Sequence, residues 1–66
     1  MQVLTAQDGI NEGAAETKIF DACRANEARL NTPEVAFARM AGDEYLATLT
    51  ENGVVVMVAI VDKFDC

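Results

Sequence analysis

The stretch Glu51-Asn52-Gly53-Val54-Val55-Val56-Met57-Val58-Ala59-Ile60-Val61 decides how the rest of this chain must be read. Asn-Gly favours a tight hairpin turn, because both residues tolerate positive φ. The run after it is almost wholly β-branched and reads as a strand. Upstream, residues 44–50 alternate, with Tyr45, Ala47 and Leu49 on one face and Leu46, Thr48 and Thr50 on the other. Together the two runs predict a β-hairpin. An antiparallel sheet with one wet face should alternate apolar and polar residues. The second strand does not. By simple alternation Val54, Val56, Val58 and Ile60 point one way and Val55, Met57, Ala59 and Val61 the other, so both sides are apolar.

What covers those sides must come from the preceding residues. Residues 14–30 carry Ala15, Ile19, Ala22, Cys23, Asn26 and Leu30 at spacings of three and four, the stripe of an amphipathic helix. Glu16, Lys18, Asp21, Arg24, Glu27 and Arg29 fall mostly on the other side. Lys18–Asp21, Asp21–Arg24 and Arg24–Glu27 are i,i+3 pairs of opposite charge. The helix should start near Asn11 or Gly13, with Glu12 and Glu16 at its positive end. Asn31-Thr32-Pro33 should end it, because the residue before proline is pushed out of the α region.

Residues 33–41 admit two readings. Thr32-Pro33-Glu34 resembles a capped helix start, whereas Val35, Phe37 and Arg39 alternate with Ala36, Ala38 and Met40 as in a strand. The strand reading is preferred because it gives the hairpin a third member, and two strands alone are marginal. Residues 2–5 read as a short edge strand and residues 7–13 as a loop. Phe64 is expected to fold back over the sheet edge. The fold class is therefore α+β: one amphipathic helix, residues 13 to 31, packed on a small antiparallel sheet from residues 34 to 62, in the order α-β-β-β with a short N-terminal edge strand as an addition. One helix covers one face. The other is left to residues 1–5 or to a partner, and the set Val55, Met57, Ala59 and Val61 is expected to mediate self-association, the opposite set serving equally if the helix lies on the former.

Size sharpens this. A chain of 66 residues forms one small domain, and domains of this size often need a disulfide, a metal or a second chain for stability. Histidine is absent and Cys23 and Cys66 have no paired-ligand spacing, so no metal is expected. One Cys23–Cys66 bond would close a long loop. However, the opening residues lack the basic and apolar regions of a secretory leader, from which a cytoplasmic location and two free thiols are expected. The apolar run 54–61 is too short to cross a membrane.

Chemistry finds little purchase. Serine is absent as well as histidine, which removes serine triads and leaves Cys23 without an imidazole base. Neither a phosphate-binding loop nor a cofactor motif occurs, and no enzyme activity or cofactor is expected. The eleven acids against five bases, a net charge of -6, oppose contact with nucleic-acid phosphates or anionic membranes. They suit a basic protein surface. Glu12, Glu16, Asp43 and Glu44 are the candidate acidic contacts. The expected function is that of a protein-protein interaction module, a homodimer that inhibits or regulates a basic, nucleic-acid-binding protein. Size and charge are analogous to those of small regulators from phages and mobile elements. The alternative is a structural subunit of a larger homo-oligomeric or virion assembly.

Overall fold

The computed structural model describes residues 1–25 and 31–66. A single α-helix packs against a four-stranded antiparallel sheet. The elements are β1 (Gln2–Ala6), α1 (Glu12–Arg24), β2 (Val35–Arg39), β3 (Glu44–Glu51) and β4 (Val54–Asp62), followed by a 3-10 turn at Lys63–Asp65. The sheet order is β1-β4-β3-β2, so the expected hairpin forms its centre. Asn52 and Gly53 turn that hairpin with φ of 53° and 78°, the left-handed conformation that this dipeptide accepts at low cost.

The start of α1 is set by Asn11, whose side-chain oxygen accepts a hydrogen bond from the Ala14 N–H at 3.1 Å. That bond satisfies one of the donors a helix start leaves free. Ala15, Ile19, Ala22 and Cys23 are buried, as their spacing requires. The helix begins one residue before the expected span and ends at Arg24, with Ala25 as its cap. The remainder of the expected helix at 26–30, including Asn26, Glu27, Arg29 and Leu30, lies outside the described residues.

Residues 35–39 take the strand reading, with Val35 opposite Leu49 and Phe37 opposite Ala47. The inward side of the sheet carries Val35, Phe37, Ala47, Leu49, Met57, Ala59 and Val61, all buried. Phe37 meets Tyr45 edge-to-face at 6.1 Å between centroids, a favourable aromatic geometry. β1 pairs with the free side of β4, Gln2 opposite Ile60 and Ala6 opposite Met57. It widens the sheet and does not lie across the second face.

Strict alternation in β4 fails at one point. The pairing with β3 passes from Leu49–Met57 to Thr50–Val55, which leaves Val56 as an extra residue. Such a bulge shifts side-chain parity by one. Val56 and Met57 are therefore both buried, while Val55 is 53% exposed. The outward set is Val55, Val58 and Ile60; the inward set is Val56, Met57, Ala59 and Val61.

Two further expectations are corrected. Phe64 does not fold over the sheet: it is 74% exposed, with the Lys63 ammonium 5.1 Å from its ring centroid. Cys23 and Cys66 are not free thiols but a disulfide, with Cα atoms 5.3 Å apart across 43 residues of sequence. The end of the described helix and the last residue meet because the Lys63–Asp65 turn redirects the chain after β4. A crosslink closing a loop of this length stabilises by about 4 kcal/mol in the chain-entropy account. Reduction, or Cys23→Ala with Cys66→Ala, should lower stability by about 2–4 kcal/mol, read as a fall in the urea midpoint; an unchanged midpoint would contradict a structural role for the bond.

Candidate interaction surface

The side of the sheet away from α1 carries mainly apolar and hydroxyl side chains. β3 contributes Leu46, Thr48 and Thr50, β4 contributes Val55, Val58 and Ile60, and β2 adds Ala36 and Ala38. Gln2 and Thr5 of β1 continue it, opposite Ile60 and Val58. None of these residues is in the buried class. Glu44 stands opposite Asp62 at one end of this side, and Glu34, whose carbonyl accepts from the Thr50 N–H at 2.7 Å, borders the other. The accessible surface, 4125 Å², is close to the roughly 4,000 Å² expected of a monomeric protein of this mass.

Of the expected self-association set, the structure places only Val55 on this open side. Met57, Ala59 and Val61 have no exposure at all and belong to the inward side of the sheet. They are unavailable to another chain in this fold; because α1 lies on their side, the opposite set is the one to consider, and of it Val58 and Ile60 are on the open side while Val56 is buried. The bulge at Val56 splits the set; simple alternation had joined Val55 to the wrong side.

The edges of the sheet are less open than its face. Along the outer edge of β2, the Thr32 N–H donates to the Val35 carbonyl at 3.0 Å. The Val35 N–H donates to the Thr32 hydroxyl at 3.1 Å, and the Phe37 N–H donates to Asn31 Oδ1 at 2.8 Å. Asn31 reaches there from a left-handed backbone, φ 51°, which asparagine tolerates better than most residues. These bonds occupy groups that would otherwise template an added strand. On the opposite edge, β1 is short and its register is interrupted between Val3 and Thr5.

The four candidate acids fall into two places. The β2–β3 and β3–β4 turns of an antiparallel meander lie at opposite ends of the sheet, and Asp43 and Glu44 occupy the first. There Asp43 pairs with Lys63 at 2.9 Å. Glu12 and Glu16 lie on α1, whose start follows β1 at the other end, where the Gln7 N–H donates to the Val56 carbonyl at 2.8 Å. The structure does not join Glu12 and Glu16 with Asp43 and Glu44 in one patch.

Beside the β3–β4 turn, a different set gathers. Lys18 bonds Glu51 at 3.0 Å and Glu34 at 3.3 Å, tying α1 to the end of β3 and the approach to β2. The helical Lys18–Asp21 pair is replaced by these longer-range partners, while Asp21 pairs with Arg24 as expected. The hydrogen bond to Glu51, then that to Glu34, raises the Lys18 pKa above 10.5. The sign follows from linkage: any support from this ammonium is present below its ordinary pKa and fades as pH rises through the raised one. Asp8 and Glu51 border one open depression of about 350 Å³, and Glu34 and Glu51 border another of about 500 Å³. Glu34 and Glu51 escaped sequence reasoning because their meeting with Lys18 depends on tertiary approach.

Among the described residues no group of three metal-ligating side chains assembles, and no buried side-chain nitrogen or oxygen lacks a partner. No described helix is long and apolar enough to cross a membrane. No family model, curated protein or solved structure matches the chain.

The assignment of faces has a direct check. Met57→Thr should cost about 2–4 kcal/mol by opening a cavity and burying a hydroxyl, whereas Val58→Thr should cost below about 1 kcal/mol. Urea unfolding of the two variants measures both, and equal losses would contradict the placement of these neighbours on opposite sides.

Proposed function

We propose that this chain is a protein-protein interaction module that inhibits or regulates another protein. The observation that carries the reading is the largely apolar sheet face, which has no covering element among the described residues. Contiguous apolar surface of this kind commonly marks a protein contact. Here it favours self-association into a homodimer through the sheet. The second recognition element is the end of the sheet at the β3–β4 turn. Asp8, Glu12, Glu34 and Glu51 against Lys18 are four carboxylates to one ammonium, and Glu16 extends the acidic surface along α1. Such a field steers encounter with a basic protein and disfavours direct contact with nucleic-acid phosphates or anionic membrane. A nucleic-acid-binding protein is the partner whose charge fits it best. The reading involves no enzyme activity and no cofactor.

The expected cytoplasmic location rested on the opening residues, and the free thiols were expected from it. With Cys23 bonded to Cys66, we read the working environment as one that keeps thiols oxidised, where such bonds persist. The alternative role, a subunit of a large homo-oligomeric or virion array, is less favoured. The Asn31 and Thr32 bonds along β2 occupy donors and acceptors that edge-to-edge growth would use.

The test is affinity capture from a native extract with the wild-type chain and with Glu12→Gln/Glu16→Gln as parallel baits. The expected result is a basic protein retained by the wild type and released from the variant at lower salt, with roughly two- to tenfold weaker binding, the scale of rim charges. Identical retention by the two baits would remove Glu12 and Glu16 as contacts. Retention of no basic protein would remove the proposed class of target.

A further inference from the structure

We infer that the Cys23–Cys66 bond is made and opened through one of its two sulfurs. Cys66 is the site at which a small-molecule thiol or disulfide couples to the chain, and Cys23 is the internal thiol that displaces it.

Access separates the two sulfurs. In thiol–disulfide exchange the incoming thiolate must reach its target sulfur from the side away from the other. Cys23 is only 8% exposed and belongs to the inward stripe of α1, with Ala15, Ile19 and Ala22 buried along it. A reagent bound for that sulfur has to enter the apolar layer under the helix. Cys66 is half-buried at the border of the same layer and keeps part of its surface in solvent. It follows the Lys63–Asp65 turn, where Phe64 is open to water. Leaving-group chemistry favours the reverse choice, because charge on a departing Cys66 is hydrated and charge on a departing Cys23 is not. A sulfur that cannot be reached gains nothing from that preference.

The two residues are also held differently. Cys23 lies in the last turn of α1 and is fixed by the helix. The ties on the other segment end before residue 66. The Lys63 N–H donates to the Asp43 carbonyl at 2.8 Å, the Lys63 ammonium pairs with Asp43 at 2.9 Å, and the Phe64 N–H donates to Asp62 Oδ1 at 2.9 Å. Opening the disulfide leaves these bonds in place, so Cys66 swings on a tether of a few residues. Short tethers give effective concentrations on the order of millimolar or above, and a thiol coupled to Cys66 is readily displaced by Cys23.

Closure therefore runs in two displacements. The Cys66 thiolate attacks a small disulfide, forming a mixed disulfide and releasing one small thiolate. Cys23 then loses its proton to water and attacks the Cys66 sulfur, releasing the second. Two protein thiols are oxidised and one small disulfide is reduced to two thiols. Opening by a small thiol follows the same path backwards, with Cys23 leaving as the thiolate and taking up a proton.

Two measurements test the assignment. The oxidised full chain is treated with saturating 2-mercaptoethanol in native buffer, quenched early with acid and mapped by peptide mass. The expected result is adduct on Cys66 in at least about tenfold excess over Cys23. Adduct shared equally, carried on Cys23 or found on neither residue would overturn the inference. In parallel, Cys23→Ser and Cys66→Ser, each keeping one thiol, are reacted with 2-hydroxyethyl disulfide in native buffer and in concentrated urea. In native buffer the remaining Cys66 should react at least about tenfold faster than the remaining Cys23, and the two rates should converge in urea. Equal native rates in variants that keep the wild-type near-ultraviolet circular dichroism would overturn the inference; where a variant loses that signal, the wild-type map decides.

Discussion

Everything in this fold follows from one mismatch: the central strand β4 is apolar on both sides, and the described chain supplies one helix to lie against it. The helix takes the side where the bulge brings Val56 in beside Met57, giving that side Val56, Met57, Ala59 and Val61 from a single strand. A sheet that concentrates its contribution in this way needs little from its other members. Ala47 and Leu49 from β3, and Val35 and Phe37 from β2, complete an inward layer that Ile19 of α1 meets without residual exposure. The cost is carried by the other side, where Val58, Ile60 and Leu46 are set among threonines and alanines and no described element covers them.

The small size makes covalent and polar ties important at the margins. The Cys23–Cys66 bond joins the end of α1 to the end of the chain, so the loop it closes includes β2, β3 and β4. Lys18 ties α1 to residues at the ends of two other segments through Glu34 and Glu51. Exposed ion pairs of this type contribute little individually. Their value lies in registering the helix on the sheet, which apolar packing alone does less specifically. Asn31 and Thr32 perform a different task, occupying donors and acceptors along the outer edge of β2.

Elements with a local cause were legible in the sequence. The Asn52-Gly53 turn, the alternation of β3, the stripe Ala15–Ile19–Ala22–Cys23 and the Asn11 cap each depend on residues a few positions apart, and each stands in the structure. The features that escaped depend on long-range approach or on a change of parity. Nothing in Val54-Val55-Val56-Met57 marks which valine is the extra one, because all are apolar and β-branched or flexible. The disulfide joins residues 43 positions apart, and its formation follows from where the turn after β4 delivers Cys66. Glu12 and Glu16 were grouped with Asp43 and Glu44 by charge alone, whereas the meander places the corresponding turns at opposite ends. The open face itself was legible as an excess of apolar residues; which side α1 covers was not, and the bulge exchanges Val55 and Val56 between the two sides.

The central claim is that the face bearing Val58 and Ile60 is covered only when a second copy is present. Methyl relaxation in the presence of a soluble gadolinium chelate, recorded from millimolar to low micromolar protein, tests it directly. The account predicts that the Val58 and Ile60 methyls are shielded at high concentration and become strongly relaxed on dilution, while Met57 and Val61 remain shielded throughout. Val58 and Ile60 relaxing strongly at every concentration, or staying shielded at the lowest, would contradict it.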